Sequence, residues 1–92
     1  MFWIFGKCAR ERRLIKGLRQ RPLDPAVVAQ VRRLTEHEQR RNLPTSLVWT
    51  MHNLAEKRLR DLPETDPCYL MVKDICRGAL WEYQTRAMHD CL

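Results

Sequence analysis

Glycine is scarce in this chain, with three in 92 residues: Gly6, Gly17 and Gly78. That scarcity excludes the phosphate cradles of P-loops and dinucleotide folds, where clustered glycines let backbone amides close on an anion. No G-x-S-x-G elbow is present either, so the exposed serine nucleophile of that turn is excluded with it. The four cysteines, Cys8, Cys68, Cys76 and Cys91, contain no close C-x-x-C pair. Cys68 and Cys76 stand eight residues apart, and His37, His52 and His89 are scattered. Zinc sites draw their ligands from tighter spacings, so no metal site and no metal cofactor is expected. The apolar opening Phe2-Trp3-Ile4-Phe5 stops at Gly6-Lys7. A secretory core needs roughly 7–15 apolar residues and a membrane-crossing helix about 20. The expectation is an intracellular protein, in the cytoplasm or an organelle matrix, neither secreted nor transmembrane. Its thiols are then free rather than paired.

Strand-like alternation of apolar and polar residues is also missing. What is present is helical periodicity cut by five prolines: Pro22, Pro25, Pro44, Pro63 and Pro67. The prediction is one all-α domain over residues 1–92, a small bundle of three to four helices joined by short Pro-containing turns. Helix 1 is expected from Trp3 to Gln20, with Ile4, Cys8, Ile15 and Leu18 on one side and Leu14 beside them. Gly17 weakens its last turn, and Arg21-Pro22 ends it, because the residue before proline avoids the α region. Helix 2 is expected to open at Asp24-Pro25, with the carboxylate as cap and proline at the first position. It carries Val27, Val31 and Leu34 with Val28 beside them, and runs on through the polar stretch 36–41 to close at Asn42. Helix 3 is expected from a Thr45 or Ser46 cap to Leu62, with the widest apolar stripe: Leu47, Val48, Met51, Leu54, Ala55, Leu59 and Leu62. Helix 4 repeats the Asp-Pro opening at Asp66-Pro67 and runs to His89, with Cys68, Val72, Ile75, Cys76, Ala79 and Tyr83 facing the core. Pro25 and Pro67 should follow trans bonds as first helical residues. Pro22, Pro44 and Pro63 lie in linkers, where about 5% of such bonds are cis.

Charge is distributed unevenly. Of the net +6, all six units arise within residues 1–22; residues 23–44 add one, 45–65 balance, and 66–92 subtract one. Arginine outnumbers lysine thirteen to four, which favours planar, forked contacts with carboxylates, phosphates and aromatic faces. Arg12, Lys16 and Arg19 stack at i, i+4 and i+7 along one face of helix 1. Residues 1–21 therefore read as a basic amphipathic helix able to dock separately from the rest. Its tip, Phe2, Trp3 and Phe5, is aromatic.

Two later helices are apolar on a second face. Trp49 falls opposite the stripe of helix 3. Leu70, Trp81 and Met88 line up with Arg77 on the side of helix 4 away from Val72 and Ile75. A helix apolar on two faces is sandwiched in its own fold or pressed against a partner, and Trp, Met and Arg are enriched at interface cores. The expected function is thus non-catalytic, with no cofactor and no small-molecule substrate. The chain is read as a regulatory or accessory protein that docks on a larger protein or nucleoprotein complex and modulates it. A phage- or plasmid-type modulator of a host enzyme and an accessory subunit of a large complex both fit. The residues expected to meet the partner are Phe2, Trp3, Phe5, Arg12, Lys16, Arg19, Trp49, Leu70, Arg77, Trp81 and Met88. The first alternative is nucleic-acid binding through residues 7–21. A second, ranked lower because the apolar run is short, is a membrane-surface protein held by the aromatic and basic N-terminus, with Cys8 open to acylation.

Overall fold

A computed structural model describes the backbone of residues 2–91 and the side chains of residues 11–89. It is all helical, with no strand among the described residues. In chain order the elements are α1 (Phe2–Arg19), α2 (Pro25–Leu34), α3 (His37–Arg40), α4 (Thr45–Asp61) and α5 (Tyr69–Cys91). Five helices stand where three or four were expected, because the predicted second helix breaks after Leu34. The run 36–41 has no apolar side to hold it in line with α2. Thr35 instead turns the chain: its hydroxyl donates to the carbonyls of Val31 and Arg32 at 2.8 and 3.1 Å. Its own carbonyl is then taken by Arg40 Nη1 at 3.1 Å.

The other boundaries follow local chemistry, with two corrections. Asp24 caps α2 as predicted, its Oδ1 accepting from the Ala26 amide at 2.9 Å. Asp66 does the same for Cys68 at 2.8 Å, but the chain stays in a tight turn over Pro67 and Cys68 and α5 begins at Tyr69. At α4 neither Thr45 nor Ser46 is the cap. Pro44 holds that position without a side-chain bond, and the Thr45 hydroxyl accepts from Arg86 instead. Among the described residues the Arg21–Pro22 peptide is cis, and Pro25 and Pro67 follow trans bonds.

The core lies where α1, α2, α4 and α5 meet. Leu14 and Leu18 of α1, Val28 and Val31 of α2, Leu47, Val48, Met51 and Ala55 of α4, and Val72, Ile75, Cys76 and Ala79 of α5 are all buried. Of the expected stripe, Cys68, Val72, Ile75, Cys76 and Ala79 are buried, Cys68 lying ahead of the helix, and Tyr83 is half-buried. On α1 the centre of burial is Leu14, with Ile15 half-buried; Ile4 and Cys8 lie outside the described side chains. The short dimension of the fold is 18 Å. That is room for two helix layers at the usual spacing of about 8–10 Å, so no helix is enclosed on every side.

Three arginines tie off helix ends. The first three helices each finish with carbonyls that have no partner within the helix. Arg58 donates from Nε to Leu18 O and from Nη2 to Arg19 O, both at 2.7 Å, and so closes α1 from α4. Arg40 closes α2 at Thr35. Arg86 reaches from α5 to the carbonyls of Arg40 and Arg41 at 3.1 and 3.4 Å, closing α3. A positive charge at a helix C-terminus also meets the negative end of its dipole.

Gly17, read from sequence as a soft point, is the close approach of α1 to α2. A Cβ there would lie 2.8 Å from Val31 Cγ2 and 3.1 Å from Val27 Cγ1. Both neighbours are β-branched and stiff, and Val31 is buried. Helix propensity alone favours Ala over Gly by about 1 kcal/mol, while overfilling a packed contact costs about 1–3 kcal/mol. Gly17→Ala is expected to lower stability by about 1 kcal/mol net. A urea midpoint that rises on this substitution would show that α1 and α2 part without resistance.

Candidate docking surface

The basic stripe on α1 lines a groove of about 600 Å³ between α1 and the first turns of α4. Arg12, Lys16 and Arg19 are exposed along its α1 side. Glu11 is the one acid on that wall. Half-buried Ile15 and buried Leu47 give the groove an apolar floor, and Ser46 and Thr50 line the α4 side. Thr50 donates its hydroxyl to the Ser46 carbonyl at 2.9 Å. Since α4 carries no side-chain cap, its first turn presents amides without helical partners and the positive end of the helix dipole.

The second-face residues of α4 and α5 are exposed. Trp49 keeps 42%, Leu70 68%, Trp81 49% and Met88 68% of their surface accessible, values that exclude a sandwiched position within this chain. Arg77 is exposed as well. Both tryptophans are held by neighbours. Trp49 stacks on His52 at 5.5 Å between centroids and tilts against Tyr83 at 4.5 Å. Trp81 tilts against His37 at 5.3 Å, with the Arg40 guanidinium 5.8 Å from its ring centre. Gly78 makes room for that guanidinium, since a Cβ there would meet Arg40 Nη1. The two tryptophans thus sit in separate clusters, Trp49 at the α4–α5 seam and Trp81 beside α3. The side chains of Phe2, Trp3 and Phe5 lie outside the described ones.

Several ionisable groups are buried among the described residues. Glu82 is buried and pairs through Oε2 with Arg86 Nε at 2.9 Å. Buried His52 approaches Glu56 at 3.4 Å. Arg40 Nε, His52 Nδ1 and Glu82 Oε1 have no hydrogen-bond partner among the described residues. Cys68 and Cys76 are free, buried thiols. Burial raises both pKa values, helped at Cys68 by the Asp66 and Asp24 carboxylates and at Cys76 by Glu56, with Arg77 opposing. Raised pKa values hold these sulfurs as neutral thiols, poor nucleophiles near neutral pH.

Sequence reasoning placed Arg12, Lys16 and Arg19 together but missed the wall that faces them. The sequence marks Leu47 as core and Ser46 as a possible helix cap, and gives Thr50 no signal of its own. His37 and Arg40, which frame Trp81, stand in the sequence only as part of the polar stretch 36–41. Among the described residues no three His, Cys, Asp or Glu side chains converge as metal donors, and no helix is long and apolar enough to cross a membrane. No protein family, curated protein or solved structure matches this chain.

Proposed function

We propose that this chain is a non-catalytic docking protein that binds a larger protein or nucleoprotein assembly and modulates it. The observation that carries the reading is the exposure of Trp49, Leu70, Trp81 and Met88 on a two-layered helical body. Large aromatic and thioether side chains left in water are the groups that interfaces recruit as anchors. Trp49 and Trp81 are already braced by His52, Tyr83, His37 and Arg40. Little side-chain freedom remains to be lost when a partner covers them, and that lowers the cost of association. A non-catalytic role is supported by the use made of the buried ionisable groups. Glu82 pairs with Arg86, His52 leans on Glu56, and burial raises the pKa of the two described thiols.

The test is affinity capture from the native cells with the wild-type chain and Trp81→Ala, followed by titration of the captured partner. The reading expects a stoichiometric protein or nucleoprotein partner whose binding weakens in the variant while the helical signal is kept. Capture that is indifferent to Trp81, Leu70 and Trp49 alike would remove its basis.

A further inference from the structure

The groove between α1 and α4 differs in kind from the exposed face of α5. It has one predominantly basic wall facing a neutral one, an apolar floor and a helix-like length. Arg12, Lys16 and Arg19 lie at i, i+4 and i+7 of α1, about 10 Å along the axis. An opposing helix repeats its own i, i+4 and i+7 positions over the same distance. Across the groove, the uncapped first turn of α4 adds the positive end of a helix dipole beside Ser46. Against these stands the single carboxylate of Glu11. Beneath the charges, Ile15 and Leu47 offer an apolar contact that a bare phosphate backbone cannot use. An amphipathic segment that presents carboxylates around one or two large apolar side chains satisfies both features at once. Arginine also favours carboxylates through forked bonds.

We infer that the α1–α4 groove is the seat for an acidic amphipathic helix of the partner protein. Its carboxylates lie along Arg12, Lys16 and Arg19, and an apolar side chain rests on Ile15 and Leu47. This rests on the docking reading above and gives that reading a partner chemistry. Helix-in-groove recognition uses anchors at i, i+3, i+4 and i+7, the spacing the α1 stripe already has. Rim charges of this kind set encounter rate and salt dependence, while the apolar contact holds the complex.

The experiment selects from a displayed library of helical peptides, each of about fourteen residues or roughly 20 Å of helix, against the folded full chain. The expected winners carry Asp or Glu at three positions spaced i, i+4 and i+7 around a Leu, Met or Phe. The best of them is then titrated against three proteins: wild type, the Arg12→Glu/Lys16→Glu double variant, and Trp81→Ala. Charge reversal is expected to weaken binding at least about tenfold. Both substituted groups are exposed, and a circular dichroism melt confirms that the fold is retained. Trp81→Ala is expected to bind the peptide as wild type does. Winners without acidic residues, or binding indifferent to the charge reversal, overturn the inference. So does a short DNA duplex that binds at Arg12 and Lys16 more tightly than any selected peptide and weakens steeply with salt. The docking reading is judged separately, by partner capture through Trp81, so a failed groove and a failed docking role give different results.

Discussion

Arg86→Met is expected to destabilise the fold by about 3 kcal/mol, near the lower end of what breaking a buried ion pair costs. The guanidinium is 21% exposed and its partner Glu82 8%, so little water reaches the pair. Three further bonds end on the same group: Nη1 to the Thr45 hydroxyl at 2.9 Å, and Nη2 to the carbonyls of Arg40 and Arg41. Methionine keeps much of the stem's packing, so the loss reads the polar head. It strands the Glu82 carboxylate, whose Oε1 already lacks a partner, and frees the end of α3. Adding Glu82→Gln to Arg86→Met removes the stranded charge and should recover about 1–2 kcal/mol, since an unpaired buried charge costs more than the loss of both members. Arg86→Lys should fall between the two, because an ammonium keeps the charge without the fork that spans four acceptors. Urea unfolding followed by circular dichroism measures all four proteins. A loss below about 0.5 kcal/mol, the size of an exposed pair, would show that water screens the site.

Arg86 also marks where local reading of the sequence stops. Its bonds cross more than forty residues to reach Thr45, Arg40 and Arg41, and Arg58 reaches back about as far to Leu18 and Arg19. No periodicity within a helix encodes such a bond. From sequence, the arginine excess pointed outward to a partner, yet Arg40, Arg58 and Arg86 face inward to helix ends. The stripes of α4 and α5 were legible because i, i+3 and i+4 spacing puts Val48, Met51, Ala55, Val72, Ile75 and Ala79 on one side whatever the neighbours do. The break between α2 and α3 was not. It depends on Thr35 bonding back to its own helix and on Arg40 folding over Gly78 of α5. The glycines show the same limit. Gly17 and Gly78 look like flaws in a lone helix and are points of approach in the assembled one. At the docking surface the pattern repeats: one helix face can be read from spacing, but the wall opposite it is a product of how α1 meets α4.

Ile75→Ala is expected to cost about 2–4 kcal/mol of stability, and Trp81→Ala about 1 kcal/mol, although tryptophan is much the larger residue. Ile75 is buried in the shared core. Truncation there removes transfer energy and leaves a cavity that α2 and α4 cannot close without moving together. Val72→Ala should behave likewise with a smaller loss, as fewer atoms are removed. Trp81 stands on the other side of the same helix with about half its surface in water, its ring against the His37 ring and the Arg40 guanidinium. Losing those contacts is worth about 1 kcal/mol in an exposed setting. For the captured partner the order should reverse. Burial of an aromatic anchor at a desolvated interface centre contributes about 2 kcal/mol or more, so Trp81→Ala should weaken binding about thirtyfold or more. Ile75→Ala, once folded, should bind nearly as wild type does. A melting curve and a binding titration on each variant decide the matter. If Trp81→Ala melts as early as Ile75→Ala, the indole belongs to the core through α3, and the outer face of α5 loses its standing as a docking surface.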